Sequence, residues 1–90
     1  MSYTVSWRPE AEQLLADIWL NAGDPNAVTD AANALDKALA DDPTDLGESR
    51  PVGQRVAYSM PLGIRFVVHK AQRHVRVVGV WYVKKRKSRP

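Results

Sequence analysis

The sequence contains no cysteine, and no apolar run in it approaches the roughly 18 residues of a membrane-spanning helix. Without thiols the chain forms neither disulfides nor thiolate metal sites, so a reducing compartment is expected. The N-terminal MSYTVSWRPEAEQ has no apolar stretch of signal-peptide length. Together these absences predict a soluble, cytoplasmic protein.

Motifs of several common enzyme classes are also absent. The sequence has no GxSxG, no Walker-type glycine loop and no dinucleotide fingerprint. Neither His69 nor His74 has a carboxylate or a second histidine at ligand spacing, so neither a metal nor another cofactor is expected. Asp41, Asp42 and Asp45 cluster where a helix should end before a proline, and we interpret them as a solvated loop.

Acidic residues are missing from the second half of the chain. Residues 1–50 contain ten acids and three bases, a net charge of −7, whereas residues 51–90 contain ten bases and no acid, a net charge of +10. A basic half of this kind favours an anionic partner, either a nucleic acid or an acidic protein. The alternative is that these charges only solvate the surface.

Ninety residues suffice for one domain, which we assign to 1–83, followed by a basic tail at 84–90. Alternation in 3–7 predicts a strand. Pro9 begins a helix with an apolar stripe, and the N-cap Asp24 with Pro25 begins a second helix that runs to about Ala40.

Three further strands are predicted at 55–60, 64–69 and 75–82, after a loop at 43–54. The order β-α-α-β-β-β predicts an α+β fold, a four-stranded, mainly antiparallel sheet with the two-helix hairpin on one face. The second strand should run antiparallel to the first. The sequence does not decide whether the first strand lies beside the second or the fourth.

Arg65 interrupts the apolar run PLGIRFVV, and strand alternation decides where it points. Ile64, Phe66 and Val68 share one face, which should pack under the helices, so Arg65 should lie on the open face. In the strand before it, the same parity argument predicts that Val56, Tyr58 and Met60 face the core and that Ala57 and Ser59 face the open side. It predicts five candidate site residues on the open face: Arg55, Arg65, His69, Arg76 and Tyr82. Such a group could clamp a phosphate and move protons. An ordinary wetted sheet face is the alternative, and Trp7, Trp19 and Trp81 are interpreted as core residues.

Three stretches carry a family resemblance. They are WxPxAxxxLxxIW at 7–19, GESRPxGxR at 47–55, and PLGIRFVV followed by RHVRVVGVW at 61–81. With the order of elements, they resemble the RelE/ParE toxins of type II toxin–antitoxin and plasmid-stabilisation systems, over about residues 3–85.

The resemblance implies a toxin that is inhibited by a cognate antitoxin. A RelE-like member would be a ribosome-dependent, metal-independent mRNA endoribonuclease, in which the ribose 2′-hydroxyl attacks the adjacent phosphate. A ParE-like member would instead inhibit DNA gyrase, and an inactive member would only bind its antitoxin. A homodimer and a toxin–antitoxin hetero-oligomer are both compatible with the sequence.

The resemblance also suggests site residues, although the usual active-site arginine position of the third strand falls on Gly63. Arg65, two residues further on, could substitute for it. The expected catalytic residues are Arg65, Arg55, Tyr82 and Glu48, and the expected RNA-binding residues are Arg50, Arg76, Lys84, Lys85 and Arg86.

Overall fold

The protein was analysed as a computed structural model that describes residues 2–83. Its elements follow the predicted order, with one short strand added. They are β1 (Thr4–Trp7), α1 (Pro9–Asn21), α2 (Pro25–Asp41), β2 (Glu48–Arg50), β3 (Gln54–Ser59), β4 (Leu62–His69) and β5 (His74–Tyr82). The predicted basic tail at 84–90, with Lys84, Lys85 and Arg86, lies outside the described residues.

The two helices begin where the sequence predicts. Pro9 and Pro25 occupy first-turn positions, where the missing N–H costs no hydrogen bond. Asp24 caps α2, since its Oδ1 accepts a hydrogen bond of 3.2 Å from the backbone N–H of Ala27. The longer helix has 17 residues, and no helix within 2–83 is both long and apolar enough to cross a membrane.

One hydrophobic core lies between the helices and the sheet. Burying a large apolar side chain stabilises a fold by about 1.5 to 3 kcal/mol, so this cluster is the main source of stability. The residues that are completely or almost completely buried in it are Ala11, Val28, Ala31, Leu35, Leu39, Ala57, Leu62, Ile64, Phe66, Val75, Val77 and Val80.

The sheet has the strand order β1-β5-β4-β3-β2. β1 pairs with β5 in parallel, and the other neighbouring pairs are antiparallel. The first strand therefore lies beside the last, which resolves the placement that the sequence left open. The α+β class, the helical hairpin and the mainly antiparallel sheet are confirmed.

The prediction of four strands was wrong by one short strand. β2 lies within the predicted 43–54 loop and pairs antiparallel with β3, with a single turn at Pro51–Gly53 between them. This strand adds one reversal of the chain. β3 consequently runs parallel to β1, not antiparallel as predicted, because it is β2 that returns the chain from the helical hairpin.

Candidate nucleic-acid interface

One face of the sheet packs against α1 and α2, and no element within residues 2–83 covers the other, which we call the open face. Side chains of directly paired residues point to the same side of a sheet, so the strand register identifies the members of this face. They are Thr4, Ser6, Glu48, Arg50, Gln54, Val56, Tyr58, Gly63, Arg65, Val67, His69, His74, Arg76, Gly79 and Trp81.

Arg65 is exposed on the open face, as strand parity predicted. Its neighbours Ile64 and Phe66 are completely buried on the helical side. Arg65 pairs with Val56 on β3, and Val56 pairs in turn with Glu48 on β2. Two strand spacings, about 10 Å, therefore separate the backbones of Glu48 and Arg65 in one row across the sheet.

Glu48 and Arg50 lie together at the β2 edge of the open face. Their side chains form an ion pair with 3.1 Å between Nη1 of Arg50 and Oε1 of Glu48. Both side chains are exposed, so the pair contributes little to stability and remains accessible to a ligand. The sequence did not indicate which way these two side chains point. The strand register places them on the same face as Arg65.

Charge is divided between the two layers of the molecule. Arg50, Arg65 and Arg76 give the open face three fixed positive charges, and Glu48 is its single acid among the described residues. The two helices carry six acids and one base, which are Glu10, Glu12, Asp17, Asp30, Asp36, Asp41 and Lys37. An approaching polyanion is therefore attracted to the open face and repelled by the helical layer.

Arg55 does not lie on the open face, which corrects the parity prediction for β3. It pairs with Phe66, on the helical side. Its Nε donates a 2.8 Å hydrogen bond to the carbonyl of Leu46, and its Nη2 donates one of 3.1 Å to the carbonyl of Gly47. Ala57, predicted to be open, is buried in the core opposite Ile64. Arg55 therefore holds the loop before β2 against β3.

The sequence misled here because β3 has apolar residues on both faces. The alternation of Val56, Tyr58 and Met60 is apolar, and it was assigned to the core. The apolar side chain that β3 contributes to the core is the small Ala57, whereas the larger Val56 and Tyr58 face outward. Tyr58 and Met60 are more than half exposed as a result.

Tyr82 is also on the helical side, contrary to prediction. Arg65 pairs with Gly79 but Phe66 pairs with Val77, so Val78 is an extra residue that forms a β-bulge. A bulge shifts the alternation by one residue, so Arg76 and Tyr82 point to opposite faces. Tyr82 lines a shallow cavity of about 360 Å³ beside the end of α1 with Asp17, Ile18, Asn21, Ala22 and Gly23.

An aromatic pair that the sequence analysis missed lies beside Arg65. The indole of Trp81 lies over Gly63, where an added Cβ would come within 2.6 Å of its Cε2. The ring of Tyr58 meets the indole edge to face, with 5.9 Å between ring centres. A glycine inside a strand often marks a position where another group packs closely against the backbone. Gly63 was therefore the sequence signal that could have indicated this aromatic contact.

The three tryptophans therefore differ in role. Trp7 packs against the core, as predicted, and its Nε1 donates a 2.9 Å hydrogen bond to Asp36. Trp19 is 45% exposed, and its Nε1 donates a 3.1 Å hydrogen bond to the hydroxyl of Thr29. Trp81 belongs to the open face. The core assignment was wrong for Trp19, which is exposed on the helical layer, and for Trp81, whose side is reversed by the bulge in β5.

Two histidines mark the far end of the open face. His69 and His74 are paired across β4 and β5 with stacked rings, whose centres are 5.9 Å apart. Nε2 of His74 lies 2.7 Å from the hydroxyl of Ser6. Arg65 is four residues from His69 along β4, about 13 Å between backbones, so the histidines lie at the opposite end of the open face from Gly63 and Trp81.

The carboxylates at 41–45 lie at the end of α2, away from the open face. Asp42 accepts hydrogen bonds from the hydroxyl and the backbone N–H of Thr44, at 2.7 and 3.2 Å. These bonds stabilise the charged form and lower the pKa of Asp42. The interpretation of this cluster as a solvated loop agrees with that geometry.

The helices also form an apolar groove of about 510 Å³ on the outer surface. Leu15, Trp19, Leu20, Val28 and Ala32 provide its apolar lining. The groove has no cluster of reactive groups and suits packing contacts. It faces away from Arg65, so it is separate from the open face.

Comparison with known proteins supports the architecture. No family model matches the chain, and no curated protein matches it in sequence. The toxin–antitoxin complex RelBE2 from Mycobacterium tuberculosis contains a chain that matches with a TM-score of 0.74 and 16% identity, over 91% of this chain and 92% of that one. A chain of the chromosomal ParDE TA system from P. aeruginosa matches with a TM-score of 0.69 and 17% identity, over 92% and 98% of the two chains. These likenesses confirm the fold that the resemblance implied.

Proposed function

We propose that this protein, which has a RelE/ParE-like fold, is the toxin of a type II toxin–antitoxin pair and cleaves messenger RNA on the ribosome. The observation that carries the proposal is the open face, which has Arg50, Arg65 and Arg76 with Glu48 as its one acid among the described residues, while most acids lie on the helical layer. Lys and Arg side chains that neutralise phosphates supply most of the affinity of such surfaces for nucleic acid. Cleavage on ribosomes would take place in the cytoplasm.

Arg65 is the residue that we assign to the phosphate. Its guanidinium is always charged and can donate paired hydrogen bonds to two phosphate oxygens. No acidic partner within hydrogen-bond range neutralises it among residues 2–83, where the two ion pairs involve Arg8 and Arg50. Its charge is therefore free to stabilise the extra negative charge that develops on a phosphate during attack.

Glu48 is the proposed general base. It would take the proton of the ribose 2′-hydroxyl while the 2′-oxygen forms a bond to the adjacent phosphorus and the bond to the 5′-oxygen breaks. The products are a 2′,3′-cyclic phosphate and a 5′-hydroxyl end. Arg50, whose Nη1 lies 3.1 Å from Oε1 of Glu48, holds the carboxylate in place.

Tyr58 replaces Tyr82 as the proposed proton donor to the leaving 5′-oxygen. Tyr82 faces the helices, whereas Tyr58 is 56% exposed on the open face and pairs with Gly63, two residues from Arg65. Diagonal neighbours across two strands lie about 7 to 8 Å apart, within reach of these long side chains. Arg55, whose guanidinium bonds the 46–47 loop, has a structural role in this proposal.

The antitoxin is proposed to cover the open face with an acidic segment. The arginines of that face favour an acidic partner, and the same contact would block access of RNA to Arg65. Inhibition and RNA binding would then compete for one surface. The complexes RelBE2 and ParDE, in which the matching chains occur, make a cognate partner the natural expectation.

The activity is tested by inducing the protein in bacterial cells and mapping RNA ends. We expect cuts within ribosome-bound messages, and we expect Arg65→Ala to lower the cleavage rate about 10²- to 10³-fold through lost charge stabilisation. Glu48→Gln should lower it about 10²- to 10⁴-fold, as for loss of a general base. Lys37→Ala on α2 is the matched control that removes one positive charge from the other layer, and it should cleave normally.

Gyrase inhibition is the second candidate, and one observation favours it. The indole of Trp81 occupies the space over Gly63, so the usual arginine position holds no cation, and neither Arg55 nor Tyr82 lies nearby. Gyrase-linked DNA breaks with intact messages on induction would support the inhibitor and contradict the nuclease. Intact messages and intact DNA, with normal growth, would leave only antitoxin binding.

A further inference from the structure

We propose that Trp81 is a stacking platform for one unpaired RNA base, placed so that the neighbouring phosphate meets Arg65. The inference rests on the proposed function and adds a base-binding subsite to it. Its basis is the position of the indole on the open face over Gly63, together with the fixed charges around it. The ligand class is single-stranded RNA with at least one base free of pairing.

The indole is held in one place by its surroundings. Gly63 lies beneath it without a side chain, and Tyr58 meets it at an interplanar angle of 83°. An aromatic ring that is already fixed loses little conformational entropy when a ligand binds to it. Trp81 nevertheless remains partly exposed to solvent, whereas large core side chains such as Phe66 are completely buried.

Arg65 and the indole are correctly spaced for one nucleotide. Gly63 and Arg65 are two residues apart on β4, on the same face, and are therefore about 6 to 7 Å apart along the strand. A base and its phosphate are joined through a single ribose, so one nucleotide can span this distance. Arg76 on β5 and Arg50 on β2 lie in the next row of the open face, the row of Val67, where they can meet flanking phosphates.

The recognition would be for an unpaired base and not for a particular sequence. Every base offers a π-face to an aromatic ring, and single-strand binders use this contact beside a positively charged path for the backbone. The subsite therefore selects single-stranded over paired RNA.

The test titrates the purified full-length protein with a short single-stranded RNA and with the same oligonucleotide made abasic at every position. Both have the same phosphates, so only the bases differ. We expect the normal oligonucleotide to quench tryptophan fluorescence and to bind at least about tenfold more tightly than the abasic one. Trp81→Phe should abolish the quenching, because Trp7 and Trp19 do not lie on the open face.

Each other result has a defined meaning. Equal affinity for the two oligonucleotides would overturn the stacking platform and leave phosphate binding by the proposed toxin intact. Quenching that persists in Trp81→Phe would also overturn it. If neither oligonucleotide binds, RNA binding by the open face is contradicted as well, whereas equal affinity contradicts the stacking platform alone. The affinity comparison uses the unaltered chain and does not depend on the folding of a variant.

Discussion

Gly63 and Trp81 show how one residue decides the character of a surface. A Cβ at Gly63 would lie 2.6 to 2.7 Å from three atoms of the indole, closer than packed atoms approach. At Gly79, on the neighbouring strand of the same face, a Cβ would lie 3.8 Å from the Cβ of Arg65, which is an ordinary contact. The two strand glycines are therefore not equivalent.

Gly63→Ala is expected to destabilise the protein by about 1 to 3 kcal/mol, because the methyl group forces the indole to move. Thermal unfolding followed by circular dichroism measures this, and the melting temperature should fall by several degrees. Gly79→Ala is the matched control and should change stability little. In a Trp81→Leu background the cost of Gly63→Ala should largely disappear, since the two residues are coupled. An undiminished cost there would show that the indole is not the cause.

At the scale of elements, the short strand β2 has the largest consequence. Its three residues reverse the chain, bring Glu48 and Arg50 onto the open face, and set the direction of β3. All three are exposed, so burial does not hold the strand in place. The hydrogen bonds from Arg55 to the carbonyls of Leu46 and Gly47 anchor the loop that leads into it.

Arg55→Gln is expected to lower the free energy of unfolding by about 1 to 2 kcal/mol, because two loop carbonyls lose a charged donor. For a domain of this size each kcal/mol corresponds to a fall of about 4 to 8 °C in the melting temperature. Arg65→Gln makes the same chemical change at an exposed residue and should leave the melting temperature unchanged. If Arg65→Gln destabilised the protein as much as Arg55→Gln, the assignment of a structural role to Arg55 alone would be wrong.

The β-bulge at Val78 is the second element-scale feature. The extra residue interrupts the alternation of side chains along β5. Arg76 and Trp81 therefore both lie on the open face, although one has an even number and the other an odd number. Without the extra residue, Trp81 would point toward the helices and Tyr82 toward Arg65. The bulge therefore chooses which aromatic residue accompanies the arginines.

At the scale of the whole molecule, the asymmetry of charge along the chain becomes an asymmetry between layers. The acidic first half forms the helices, and the basic second half forms most of the sheet. One side of the protein consequently attracts polyanions, the class to which the proposed RNA and antitoxin ligands belong. Binding of RNA to such a face should depend strongly on salt.

The affinity for single-stranded RNA should fall linearly on a plot of log K against log salt, with a slope of about −0.7 for each phosphate neutralised. Arg65→Ala and Arg76→Ala should each reduce the steepness by about that amount. Lys37→Ala, on the helical layer, should leave the slope unchanged. Slopes that respond equally to all three substitutions would show that the charge of the molecule acts as a whole and that the open face is not the binding surface.

The sequence by itself determined the order of the two helices and the four longer strands, the starts of both helices, the exposure of Arg65 and the separation of charge. These properties depend on neighbours in the chain, such as Pro9, the Asp24–Pro25 cap and the buried residues that flank Arg65. Interactions between residues that are close in the chain are therefore sufficient to predict them. The RelE/ParE-like α+β fold was predicted from the same order of elements.

The tertiary structure alone decided which side chains accompany Arg65. Side-chain direction in a strand has a period of two, so one extra residue reverses it for everything beyond. The bulge at Val78 removed Tyr82 from the open face, and the packing of Ala57 against the core removed Arg55. Both depend on how strands pair and what the helices cover, which are long-range contacts that no local pattern of residues encodes.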